Sequence, residues 1–501
     1  PILAALRPLG EKAPHRYVSL LAAASELRTL YPETVRYIYD ALQQLKNRLT
    51  ETGHLWPLVE AIRTYSNLMR RRQWHIGGLW KEAVADMCEL YSKVKGRDDT
   101  TTSGNGLSAQ RPLYTIAKVY VLAVALGSDV LAPLVQRYCG LGDLEEEAKD
   151  VMNELNKAAD HPEELRKNDK DFAEWVRVRD VTEDAKRVIK DLRAWFTYVL
   201  ARYKLNHALD AEKLEEAAEE FEKVAEMRKR LKRWGGYLIA CSLALRARVF
   251  AARSWKELLE RAEGFQKLWK EAKKHLKPTA RYLATAALPL GEYLVYLAAS
   301  GNRERAEELL KKWRWLLDYD PRASVNTRLM LKLLGVGDGA RLKEVVDVFE
   351  SSIWREYRPA LLMLAGRLQK DKALEICKQL SKSEVCIDAV TAATSDQEAV
   401  ERLKSEIKCE VPVASLLLDR VDGRTLVEVR APKYPSAQLA FMLLAAVEGR
   451  VDAVRLHGLW GSATSREPLP RQLSHAVYEN CVDLNSEGCR LALLKLYYYH
   501  Y

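Results

Sequence analysis

The sequence holds no C-x-x-C pair, no H-E-x-x-H, no G-x-S-x-G and no G-K-[S/T] closing a glycine loop. The first two absences remove the local spacings that build zinc sites. The third removes the nucleophile elbow of the α/β hydrolases. The fourth removes the lysine and hydroxyl that a nucleotide–Mg site needs. "GVGDGARLK" (Gly335–Lys343) has the glycines alone and reads as a helix–helix loop. No apolar run reaches the roughly 18 residues of a membrane span, and no signal peptide is expected. Strand signals are scarce, the best candidate being the short "GRTLVEV" (Gly423–Val429). The nine histidines are dispersed. His207 and His457 read as exposed or hydrogen-bonded residues rather than ligands. No cofactor and no metal is expected.

Eight cysteines are scattered along the chain: Cys88, Cys139, Cys241, Cys377, Cys386, Cys409, Cys481 and Cys489. Most fall at apolar helix positions, where cysteine behaves as a small hydrophobe. They read as buried free thiols of a cytoplasmic protein. In a hyperthermophile, Cys377 with Cys386, or Cys481 with Cys489, would be candidates for disulfides. Lys and Arg number 79 against 69 Asp and Glu, a net charge of +10 over 501 residues. So mild an excess permits an acidic or nucleic-acid partner without requiring one. Arg and Glu mixed on helix faces suit a thermophile. The chain opens on Pro1, so it reads as processed or as a piece of something longer.

Helical periodicity is everywhere. From Leu214 the apolar positions run Ala217, Phe221, Val224, Met227 and Leu231, with Glu and Lys on the opposite face. Acidic residues fall on such solvated faces with Lys or Arg four residues away, which favours i,i+4 pairing over catalysis. Breaks recur at Gly96, Gly127, Gly140, Pro162, Gly235-Gly236, Pro278, Gly301, Pro321, Gly335–Gly339 and Gly449. Glycine suits a helix C-cap and proline the residues just beyond it. "YLAASGNRERAEELLKKW" (Tyr296–Trp313) and "LLAAVEGRVDAVRLHGLW" (Leu443–Trp460) share one form: small residues, a closing glycine, then a new amphipathic helix. "LAVALGSDVLAPLVQRY" (Leu122–Tyr138) is a looser copy.

These hairpins predict an all-α, tetratricopeptide-like solenoid of antiparallel helix pairs, right-handed, with about twenty helices. The period is irregular. The expected divisions are an N-terminal helical region 1–95, a flexible loop 96–112, a long-helix array 113–335, and a hairpin array 336–501 with a capping helix.

Two basic stretches are candidate binding sites. "RRRQWHIGGLW" sets Arg70, Arg71 and Arg72 beside Trp74 and Trp80. Guanidinium groups there would hold phosphates while an indole stacks a base. The alternative is that the indoles anchor a helix junction and the arginines answer a helix dipole. "KRLKRW" offers Arg230, Lys232, Arg233 and Trp234, and the same dipole argument fits it. At the end of the chain, Tyr497, Tyr498, Tyr499 and Tyr501 cannot share one helix face. Some must be exposed or dock on another surface, or the helix must cap the array.

The closing phrases "AFMLLAAVEGRVDAVRLHGLWGSA" (Ala440–Ala463), "PRQLSHAVYENC" (Pro470–Cys481) and "EGCRLALLKLYYYHY" (Glu487–Tyr501) resemble the C-terminal helical region of large archaeal NTPases of the STAND signalling class. "ILAALRPLG" and "LRTLYPETVRYIYDAL" (Leu27–Leu42) resemble the start of that region. The resemblance spans most of the chain and rests on helical-repeat phrases. It implies repeats that sense a ligand or hold partners downstream of an ATPase domain. This sequence has no ATPase motif, so no catalytic residue is carried over. The expected function is therefore non-enzymatic: a protein-binding scaffold or ligand sensor in the cytoplasm. The competing expectation is a nucleic-acid- or ribosome-binding helical protein.

Overall fold

A computed structural model describes residues 7–26, 32–76, 79–100, 112–180, 182–276, 280–350, 357–380, 383–394, 398 and 435–500. Among them the regular secondary structure is helical, with no strand, so the fold is all-α. The strand candidate 423–429, the break at Pro278 and Cys409 lie outside the described residues. None of the described helices is long and apolar enough to cross a membrane. Most helices pack against their first or second neighbours along the chain, which is compatible with an array of helix pairs. The chain divides into two compact units, residues 1–203 with 226–233, and residues 204–225 with 234–501.

The first unit is organised around the helix Trp56–Ile76. It packs against Pro14–Ser25, Pro32–Glu51, Trp80–Thr100, Pro112–Leu126 and Lys170–Arg179. Leu58 through Met69 are buried without a break. A helix covered on every side must satisfy its polar groups internally. Here Glu60 is fully buried, contrary to the expectation that the acids sit on solvated faces. Arg63 reaches it at 2.7 Å and Glu26 at 2.6 Å. The indole N–H of Trp175 donates to the same Glu60 at 3.0 Å. Ser66 donates to the Tyr120 carbonyl and Asn67 to Ser25. The helix that starts at Trp80 runs through Gly96 to Thr100 instead of ending at the glycine. A glycine inside a helix costs only about 1 kcal/mol, less than a long amphipathic segment supplies.

In the second unit the helix Trp234–Ala251 packs against Trp255–Ala262, Gly264–Lys274, Ala280–Ala299 and the distant Glu487–His500. Gly235 and Gly236 lie in its first turn and do not break it. The stretch 257–272 is divided between two helices that part at Glu263, and a Cβ at Gly264, the first residue of the second, would collide with the Leu245 side chain. A second buried acid, Glu292, accepts from Ser242 and Arg246, each at 2.5 Å. Burial pushes its carboxyl above the usual range against the pull of Arg246.

Both quoted hairpins are present, closed in the same way. Gly301 (φ 84°) and Gly449 (φ 76°) take the left-handed conformation. The Gly301 N–H bonds the Ala298 carbonyl and the Asn302 N–H bonds Leu297. Gly449 with Ala446 and Arg450 with Ala445 repeat the pattern. These paired bonds are the Schellman closure, which satisfies the last carbonyls of a helix.

The free-thiol reading is overturned for six cysteines. Cys88–Cys139, Cys377–Cys386 and Cys481–Cys489 are disulfides. The last two join helices adjacent in sequence. Cys88 and Cys139 are 51 residues apart and meet only because the helices Trp80–Thr100 and Ala132–Cys139 pack together.

Candidate functional site

Arg70 is half-buried, its guanidinium 4.8 Å over the Trp195 ring. Arg71, Arg72 and Trp74 belong to the helix Trp56–Ile76, but their side chains lie outside the described residues. Trp80 is half-buried against the first core, with Lys81 near its ring.

In the second basic stretch Arg230 is exposed and pairs with Glu226 at 3.2 Å. Lys232 takes the left-handed conformation (φ 53°) and its N–H bonds the Lys229 carbonyl. Arg233 bonds the Arg228 carbonyl through its N–H and faces Asp191 at 3.5 Å. This is a Schellman closure without glycine, at the cationic end that the helix dipole favours. Trp234, in the second unit, stacks on His275 with ring centroids 3.7 Å apart.

The terminal tyrosines are largely interior to the second unit. Tyr497 and Tyr498 are fully buried. Tyr497 bonds Thr327 at 3.0 Å, and Tyr498 stacks on Phe265. Tyr499 is half-buried and donates to Asn206 at 3.2 Å, while Tyr501 lies outside the described residues. On the same helix, Lys495 donates to the carbonyls of Phe250 and Ala252. Burial pushes its ammonium down to about 8.

One surface stands out that none of those stretches contains. The helix Arg303–Leu317 buries Ala306, Leu309, Leu316 and Leu317. That stripe follows helical spacing and leaves Trp315 off it. Trp313 turns its edge to the buried Trp269, with ring centroids 5.3 Å apart at 85°. Trp315 lies 5.9 Å from Trp313, and Tyr319 lies 6.2 Å from Trp315. The outer two rings face solvent, Trp315 at 52% and Tyr319 at 46% exposure. Lys273 approaches the Trp269 ring at the inner end of the row. The result is a four-ring aromatic strip with one cation at its inner end.

The sequence contained a signal for this surface in "KKWRWLLDYD". Two tryptophans two positions apart on a helix point about 200° apart, so they cannot share one buried face. Two rigid rings with polar tips, held by a packed indole beneath, bury large area at low entropic cost. The described residues contain no group of three or more His, Cys, Asp or Glu placed to hold a metal ion. No family model, no curated protein and no solved structure matches the chain.

Proposed function

We propose that the chain is a non-enzymatic helical binding module that captures a protein partner on the strip Trp269–Trp313–Trp315–Tyr319. The exposure of Trp315 and Tyr319 over a packed indole base carries this reading. Trp, Tyr and Arg are the residues on which binding energy concentrates. Lys273 beside the Trp269 ring favours a partner whose apolar patch carries an acid at its edge. Within the resemblance noted above, the module is the partner-holding or sensing part of a STAND-type system. We place it inside the cell of a thermophile, where protein disulfides are an accepted exception.

A pull-down from source lysate tests the reading, with wild type beside the Trp315→Ala/Tyr319→Ala variant. Discrete proteins that survive nuclease and high salt, and that the variant loses, support it. Proteins retained equally by the variant remove the strip from the argument. The exposed faces of Trp315 and Tyr319, with Lys273 at the inner end of the row, also favour a second reading, single-stranded nucleic acid whose bases stack on those rings. That reading predicts a catch that disappears with nuclease and weakens steeply with salt.

A further inference from the structure

The second unit carries a cavity of about 170 Å³ on another face of the helix Arg303–Leu317. Glu307, Leu310, Lys311 and Arg314 form one wall, and Arg328 from the helix Pro321–Leu333 forms part of another. The turn 336–339 closes the remaining side.

The turn has an unusual alternation. φ is positive at Gly335, Gly337 and Gly339 (83°, 67° and 76°) and not at Val336 or Asp338 between them. Alternating handedness brings successive N–H groups to one side of the chain, the geometry of an anion-binding nest. Among the described residues no backbone carbonyl accepts from the N–H groups of Gly337, Asp338 and Gly339. The turn is also held firmly. Arg328 donates to the Gly339 carbonyl at 2.7 Å and to Glu344 at 2.7 Å. The Val336 N–H bonds the Leu331 carbonyl. A Cβ at Gly339 would stand 3.0 Å from the Lys332 Cβ, so that position has no room for a side chain without adjustment.

Two cations line the cavity with heads that can be redirected cheaply. Lys311 pairs with Glu307 at 3.1 Å, and Arg314 with Asp318 at 3.8 Å. All four side chains are about half exposed or more. Such pairs hold little energy, so an incoming anion competes with them easily.

We infer that this cavity binds an oxyanion, the phosphate or carboxylate group of a small molecule. The N–H groups of residues 337–339 receive it on one side and the Lys311 and Arg314 heads on the other. Asp338 lies on the same turn and opposes a bare anion, which gives the site a built-in discriminator. The inference does not depend on the aromatic strip.

Thermal unfolding of the full chain in inorganic phosphate or acetate, at ionic strength matched with NaCl, tests it. The expected result is a saturable rise in Tm. Phosphate also stabilises proteins unspecifically by exclusion from their surface, so variants carry the decision. Lys311→Gln/Arg314→Gln lowers the apparent affinity at least tenfold. Asp338→Asn raises phosphate affinity two- to fivefold, a gain that misfolding does not produce. A stronger response to phosphate assigns a phosphoryl ligand, and a stronger response to acetate a carboxylate. A flat response to both overturns the inference. So does a rise that the double variant leaves intact, or an Asp338→Asn variant that binds no tighter.

Discussion

The hairpins Ala280–Leu317 and Pro435–Thr464 share a closure and differ in what their second helix faces. Counted from the closing glycine, Leu310 and Trp313 of the first occupy the positions of Gly458 and Gly461 of the second. The glycines let the helix Pro468–Asn480 come in close. A Cβ at Gly458 would lie 2.7 Å from the Tyr478 amide nitrogen and 2.9 Å from the Ser474 carbonyl oxygen. One at Gly461 would lie 2.6 Å from the Ser474 hydroxyl. Trp460, eleven residues past its glycine, is an interior residue at 8% exposure, whereas Trp315, fourteen past its own, stands 52% exposed. The turn makes the hairpin, and the second helices then differ: Gly458 and Gly461 admit a neighbouring helix closely where the first hairpin carries Leu310 and Trp313.

Truncation of the buried tryptophan has the largest expected effect. Trp460→Ala should cost about 3–5 kcal/mol, the range for emptying a buried aromatic site, and urea unfolding measures it. Acidification comes next. His457 of the second hairpin is wholly buried, and among the described residues neither ring nitrogen has a hydrogen-bond partner. It is neither of the two things expected of it, exposed or hydrogen-bonded. Burial pushes its imidazole from 6.5 down to about 3. The unfolded chain therefore takes up a proton near pH 6.5 that the folded chain refuses until about pH 3. The stability is fully present above the higher value and is lost as pH falls between the two. About 3 kcal/mol is gone at pH 4. Urea titrations of wild type and His457→Leu at pH 7 and pH 4 check this, and equal losses in both clear His457 as the cause.

A bulkier residue at the close contact has the next largest effect. Gly458→Val should destabilise by about 2 kcal/mol, because the obstructing atoms are backbone and cannot rotate away. Its Tm and circular dichroism report the change, and an unchanged Tm would mean that the two helices can separate freely. The closures themselves should behave alike. Gly301→Ala and Gly449→Ala each force a Cβ into the left-handed region at about 1 kcal/mol. Clearly unequal midpoints would show that the two turns are not equivalent. Smallest is Trp315→Ala, which should shift stability by under about 0.5 kcal/mol while abolishing partner capture. A large stability loss there would mean that the ring supports the fold.

Helices and most of their ends are legible in the sequence because periodicity and glycine act locally. Gly301, Gly335 and Gly449 close helices where only glycine takes positive φ without cost. Lys232 makes the same closure with a Cβ, and no residue type announces it. Gly96 misleads in the opposite direction, since a glycine weakens a helix without ending it. The paired cysteines of adjacent helices can be suspected from spacing, whereas Cys88–Cys139 depends on tertiary packing. The same holds for Glu60 and Glu292. Each is the single acid of its helix, and which residues would pair with it shows only when Trp175, or Ser242 and Arg246, arrive from elsewhere in the chain. The aromatic strip was half legible. The W-R-W spacing requires an exposed ring, but only the packed Trp269 turns that ring into a supported surface.

The last described helix has a consequence for how the protein is made. Lys495 holds the carbonyl of Phe250 across 245 residues, and Tyr498 reaches the Glu292 carbonyl across 206. On the ribosome these contacts of the second unit must therefore wait until residues 495 and 498 have emerged. The first unit has its whole buried cluster between Tyr17 and Val199 and can close while that wait continues. For the second unit, the interval between synthesis of residue 242 and residue 498 is a window in which chaperones have a long apolar helix within reach.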